Sequence, residues 1–276
     1  TLGPGHPECA PSLVNLGNVL VEGLDPAGAE AAFRRALSLV LASSGEAHPD
    51  VATAWIGLAT LDARAGRLDA AAAGYERAIA LRIRLFGADH PDVALARNDL
   101  GNVRFDQGRL DDAGALYRAA YDGFVAAYGP NHPRVALAVN NLGEVARARG
   151  QLAVALDRYR EAIAIRERAL GRDHPGLAVP LTNLGEVALR LGRLDDAEAA
   201  DRRALALFEA SRGAMHPLLA QPLIGLGEIA LARKQTAAAI PLLERGLALA
   251  TSGGDVEAVA RARAALGRAR GSSRRD

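Results

Sequence analysis

The stretch His90-Pro91-Asp92-Val93-Ala94-Leu95-Ala96-Arg97-Asn98-Asp99-Leu100-Gly101-Asn102 decides the fold, because its opening pair recurs along the whole chain. The 6 histidines all precede a proline, at His6, His48, His90, His132, His174 and His216, so the recurrence is every 42 residues without an insertion. A fixed period of this length marks a repeat array. Ten residues after each histidine stands a leucine (Leu16, Leu58, Leu100, Leu142, Leu184, Leu226), and the next residue is Gly or Ala. Glycine closes this first segment at Gly66, Gly108, Gly150 and Gly192, usually inside a Gly-Arg-Leu-Asp turn. A second segment carries Ala29, Ala71, Ala113, Ala155, Ala197 and Ala239. Four residues later comes a large side chain in five of the six units: Phe33, Tyr75, Tyr117, Tyr159 and Leu243.

Both segments have the period of a helix. Val135, Val139, Leu142 and Ala146 step by 4, 3 and 4, one stripe on a 3.6-residue helix. Proline suits a first helical turn, where its missing N–H would find no partner, and Asp50 and Asp92 follow it near the positive end of the dipole. The closing glycine permits the positive φ of a helix stop, and Asp69, Asp111 and Asp195 stand at the start of the next helix. Each unit is thus an antiparallel helical hairpin. Small residues where the helices cross let their axes approach, and no hairpin buries its stripe alone, so neighbours must stack.

Composition agrees. Half of the 276 residues are hydrophobic but 4% are aromatic, an Ala/Leu/Val bias that favours helices over a β-sandwich or barrel. The net charge of +1 gives no general drive toward nucleic acid or an anionic membrane, so neither is an expected partner. One cysteine, Cys9, excludes an intramolecular disulfide framework. Lys234 is the only lysine, a bias pointing to a GC-rich genome and hence a bacterium. No window reaches about 18 uncharged apolar residues, and no basic-then-apolar leader follows Thr1; a cytoplasmic location is expected.

The residues Trp55, Leu58, Ala59, Ala71, Tyr75 and Ala78 follow the spacing W-x2-L-small, then A-x3-F/Y-x2-A, and the pattern resembles the tetratricopeptide repeat (TPR). The 42-residue period and the link Gly87-Ala88-Asp89-His90-Pro91 resemble the kinesin-light-chain type. The resemblance implies an all-α, right-handed α-α superhelix, a solenoid of six stacked hairpins at 6–47, 48–89, 90–131, 132–173, 174–215 and 216–257. Residues 1–5 read as the tail of a preceding, truncated repeat. Residues 255 to about 270 read as a capping helix with Arg261 and Arg263 on its outer face, and Gly271 onward as a short, basic, disordered tail; the cap and tail together make a terminal segment, 258–276. Pro180 and Pro222 fall within expected first helices, which should bend there or start late.

Chemistry is hard to place on this pattern. Equivalent histidines of stacked hairpins should stand on the order of 10 Å apart, too far to converge on one zinc ion, and apart from Cys9 near His6, which reads as a packed small hydrophobe, no second Cys or His lies nearby in any unit. They read as linker residues, and no metal or other cofactor is expected. Gly225-Leu226-Gly227 with Lys234 lacks the strand context of a kinase loop, and Gln235 after the only lysine excludes a Walker motif. No catalytic residue is predicted, and the chain is read as a non-enzyme.

What remains is the face of the first helices opposite the apolar stripe, at positions 5, 8, 9, 12 and 16 after each histidine. It carries Asn15 and Asn18; Asn98, Asp99 and Asn102; Asn140, Asn141 and Glu144; Thr182, Asn183, Glu186 and Arg190; and Glu228. In the family this face lines a concave groove, where asparagine can meet both C=O and N–H of a bound segment. The bland alternative is a solvated face whose asparagines hold repeats together. Glu144, Glu186 and Glu228 form an acidic ladder with Arg147 nearby, predicting a basic or neutral polar protein or peptide ligand. The functional expectation is a protein–protein interaction scaffold. A second reading makes the array the regulatory C-terminal tail of a bacterial Ser/Thr kinase or signalling NTPase whose catalytic domain lies upstream.

Overall fold

The computed structural model describes residues 6–272, so the expected repeat tail at 1–5 and the last four residues of the expected disordered tail lie outside them. Helices begin where the sequence supplies a cap. His48, His90 and His132 hold extended backbone, and each Nδ1 accepts the N–H two residues on at 3.2 Å. The imidazole therefore does the work that Ser or Asp usually does at a helix start, while the following proline has no N–H to satisfy. Asp25 caps the other way, its carboxylate accepting from Gly28 N–H at 2.9 Å.

The fold divides into two compact units, Thr1–Pro130 and Asn131–Asp276. In the first, three hairpins follow one another: α1 (Ala10–Glu22) with α2 (Pro26–Ser44), α3 (Pro49–Arg64) with α4 (Leu68–Phe86), and α5 (Pro91–Asp106) with α6 (Leu110–Tyr128). In the second, α7 (Pro133–Ala148) pairs with α8 (Leu152–Leu170), α9 (Ala178–Arg190) with α10 (Leu194–Arg212), and α11 (Ala220–Ala232) with α12 (Thr236–Gly253). A last helix, α13 (Val256–Ser272), packs on α12 and α11 through Ala258, Ala262, Ala265 and Leu266. It runs one residue past Gly271, where a disordered tail was expected to begin. Among the described residues there is no strand, and no helix is long and apolar enough to cross a membrane.

Prolines set where the later helices start. After His174 and His216 the chain makes one 3-10 turn, Pro175–Leu177 and Pro217–Leu219, before α9 and α11 begin. The delay puts Pro180 and Pro222 in the first α-helical turn, where no N–H is required. It also frees the Gly176 carbonyl, which Pro180 cannot use as a donor would, and the Arg166 guanidinium donates to it. Pro241 is different: it lies inside α12, which continues through it, a feature the sequence reading did not anticipate.

Within each of the first four hairpins a ring fills the crossing. Phe33, Tyr75, Tyr117 and Tyr159 are buried, and a Cβ at Gly143 would stand 2.6 Å from the Tyr159 ring, so only glycine fits there. The turns between helices use left-handed backbone, as at Gly108 (φ 74°). Leu24 and Lys234 adopt the same conformation with a side chain, at φ 60° and 62°. Arginines on second helices then tie one hairpin to the next: Arg82 donates to the Asp92 carbonyl at 2.9 Å, and Arg245 to the Ala214 carbonyl at 2.9 Å and to Glu209 at 2.7 Å.

Candidate functional site

In each unit the first helices present a face built from the same positions of each repeat, and in the second unit it is concave. Thr182, Asn183, Glu186 and Arg190 of α9 and Gln221 and Glu228 of α11 line a cleft of about 1190 Å³, with Arg147, Lys234, Glu257, Arg261 and Arg268 around it. In the first unit the same face, with Thr60, Tyr75, Asp99, Asn102 and Asp106, forms a smaller hollow of about 270 Å³. Burial holds the Asp106 carboxyl above its usual range.

The expected residues divide in two. Asn98 and Asn140 are 2% and 7% exposed, which corrects the expectation that they stand on an open face. Their position lies at the seam between successive first helices, and the Asn183 amide donates to Asn140 Oδ1 at 3.3 Å across it. That is the bland role, an asparagine joining repeats. Asn102 accepts the Tyr117 hydroxyl at 2.8 Å, and Asn141 lies 3.4 Å from the Asn140 amide. Asn183, Glu186, Arg190 and Glu228 share the cleft.

The acidic ladder is already engaged, which removes the physical basis for expecting a generally basic ligand. Glu144 accepts the Tyr159 hydroxyl at 2.6 Å and pairs with Arg147 at 2.8 Å. Arg147 also reaches Glu186 at 3.4 Å, and Arg190 approaches Glu186 at 3.8 Å. Glu228 pairs with Arg261 at 2.7 Å and with Arg268 at 3.3 Å. Burial alone would lower the Arg147 guanidinium, but Glu144 and Glu186 beside it raise it above its ordinary value. Burial, with Glu144 adding to it, pushes the Tyr159 phenol far above the usual tyrosine range.

A rule connects these contacts. The hydroxyl twenty-seven residues after the histidine bonds the side chain twelve after it: Tyr75 with Thr60 at 2.9 Å, Tyr117 with Asn102, Tyr159 with Glu144. In the fifth repeat the two positions hold Asp201 and Glu186. Asp201 is 2% exposed, and its Oδ2 has no hydrogen-bond partner among the described residues. Burial pushes its carboxyl up to about 8; Arg261 pulls it back, while Glu186 and Glu228 push it further up. Sequence reading missed Asp201, although the signal was there: it is the one unit of six without a large side chain at that place.

No group of three or more His, Cys, Asp and Glu side chains among the described residues comes together to hold a metal. The site offers donors, acceptors and fixed charges on rigid helices.

Comparison with known proteins agrees with this architecture. A tetratricopeptide repeat family model matches residues 50–113, 92–168, 140–210 and 176–252. A search of the curated proteins matched none of them. Among solved structures, BtubC (BKLC) from P. vanneervenii is similar at 22% identity and a TM-score of 0.68, covering 82% of this chain and 91% of that one. The TPR-like repeats of a Podosopora anserina kinesin light chain are 17% identical at a TM-score of 0.61, covering 75% of this chain and 98% of theirs. A chain of the APC/C hetero-tetramer Cut9-Hcn1 is 23% identical at a TM-score of 0.71; the match covers 95% of this chain but 44% of that one. At these identities the likeness is one of fold.

Proposed function

Because the chain belongs to the tetratricopeptide repeat family, whose members generally mediate protein–protein interaction, we propose that it is a non-catalytic scaffold docking a protein segment in the cleft of its second unit. The cleft itself carries the reading. Its volume of about 1190 Å³ is ample for several residues of extended chain, and its walls come mainly from the helices α9, α11 and α13. Asn183, Thr182 and Gln221 supply amide and hydroxyl groups that match a segment's own C=O and N–H. Arginines pair with Glu144, Glu186 and Glu228, which keeps the walls polar while neutralising these three carboxylates and suits a neutral polar segment.

Peptide display on the whole chain tests this. Sequences enriched on the wild type should be lost when the double variant Asn183→Ala/Arg190→Ala is used as bait. Enrichment that survives this double substitution overturns the assignment of the cleft.

A further inference from the structure

We propose that Asp201 makes the seam between α9 and α11 a proton-operated latch, closed while the carboxyl holds its proton and letting the two walls of the cleft part when the proton leaves. The latch rests on the packing of these helices alone and holds whatever the cleft receives.

The carboxyl is a wedge in this seam. A Cβ on Gly185 of α9 or on Gly225 of α11 would collide with its oxygens, so both helix backbones close directly onto it. In the first unit the Phe33 ring lies in the same way between Gly17 and Gly57, but that ring has nothing to titrate. Asp201 is 2% exposed, and its Oδ2 has no hydrogen-bond partner among the described residues. The seams on either side are tied by polar contacts. From α7 to α9 the Asn183 amide meets Asn140 at 3.3 Å, and Arg147 meets Glu186 at 3.4 Å. From α11 to α13, Arg261 reaches back to Glu228 at 2.7 Å and to Gln221 at 3.2 Å. Between α9 and α11 the described residues share apolar packing, through Leu181, Leu223 and Ile224, but no side-chain hydrogen bond or ion pair.

Charge makes the closed seam depend on the proton. The groups that face the carboxyl are Glu186 from α9, Glu228 from α11 and Arg261 from α13, and Arg261 is already bonded to Glu228 and Gln221. An ionised Asp201 would therefore meet two carboxylates, one committed guanidinium and no donor for Oδ2. A buried charge without a partner is costly, and water relieves that cost. With Oδ2 shut between two glycine backbones, water reaches it only when α9 and α11 move apart. These helices wall the cleft, through Thr182, Asn183 and Glu186 on one side and Gln221 and Glu228 on the other, so parting them widens it. The closed seam holds off ionisation to about pH 8, whereas in water the same group ionises near 4. Between those values each pH unit favours the open seam by up to tenfold, and above about 8 the effect levels off.

Hydrogen exchange of the full chain, followed by mass spectrometry and corrected for the intrinsic pH dependence of amide exchange, reads the seam directly. From pH 5 to pH 7 the amides of α9 and α11 should lose protection at least tenfold, while those of α7 and α8 keep theirs. In Asp201→Asn, which has nearly the same shape and no proton to lose, all four helices should stay level. Asp201→Tyr, which puts back the ring of the first four repeats, should stay level too. A second measurement follows the walls themselves, with nitroxides on Arg190→Cys and Ala232→Cys in a Cys9→Ser chain; these are equivalent, exposed positions at the ends of α9 and α11. Their dipolar broadening should weaken over the same pH range, and should hold steady once Asp201→Asn is added. Protection in wild-type α9 and α11 that does not change with pH, a loss that survives in either Asp201 variant, or one shared equally by α7 and α8 overturns the latch. Constant broadening in the labelled chain overturns it as well, since the seam would then loosen without parting the walls.

Discussion

Asp201→Asn should change how stability depends on pH, by an amount that follows from where the carboxyl sits. The side chain is 2% exposed, faces Glu186 and Glu228 against the single opposing Arg261, and burial holds its carboxyl at about 8. In the unfolded chain the same group ionises near 4. Between those values the folded chain keeps a proton that the unfolded chain has lost. Its contribution is therefore complete below about pH 4 and declines as pH rises toward 8. One proton corresponds to a tenfold change in the folding equilibrium per pH unit, about 1.4 kcal/mol, so from pH 5 to pH 7 the wild type should lose close to 3 kcal/mol through this group. Asparagine is nearly the same shape and does not titrate. Urea unfolding of both proteins at pH 5, 6 and 7, with α9–α11 assigned to their transition by hydrogen exchange, gives the difference directly, since every other titrating group cancels. The two should be close at pH 5, with the variant ahead by a growing margin above it. Parallel stability curves across this range would refute the buried, underpaired carboxyl.

Other positions make independent predictions. His90→Ala should cost about 1 kcal/mol in thermal or urea melts by removing the cap on α5, and His90→Asn, which can accept the same N–H, should restore most of it. Lys234→Gly should raise stability by up to about 1 kcal/mol, since a side chain at φ 62° is strained; a loss would show that the lysine stem contributes packing that outweighs the strain. Tyr159→Phe should cost about 2 kcal/mol by removing a hydrogen bond to a charged group, and Glu144→Ala should destabilise too by leaving that hydroxyl without its acceptor. The Glu144 result would show that binding losses in such a variant reflect the fold as much as ligand contact.

Much of this architecture was legible because it repeats. Six His-Pro pairs at one spacing marked where each hairpin opens, the closing glycines marked the turns, and of the bend or late start expected from Pro180 and Pro222 the structure takes the late start, through a 3-10 turn. The face of the first helices was legible as a face, through the 100° rule. Its chemistry was less so. A period tells which residues share a side, but not that Glu186 meets Arg147 from the preceding hairpin, nor that Arg261 folds back from the terminal helix onto Glu228. Those pairings depend on side-chain reach between repeats, and they turned a ladder that looked acidic into a neutralised one. Asn98 and Asn140 were misjudged for a related reason: their position sits on the border between stripe and face, and the closeness of neighbouring helices decides it. Asp201 differs again. It could be seen only as an exception, and its meaning came from the two glycines it lies between.

The histidine caps carry a consequence for how such a chain can change length. Within each compact unit the link from one hairpin to the next repeats one grammar, an imidazole closing onto the second amide after it. Excising or duplicating the segment from one His-Pro to the next would rejoin identical junctions and leave each surviving helix its own beginning and end. A deletion of any other length would strand a helix without its opening residue or its turn, so viable length variants of this protein should differ by whole hairpins.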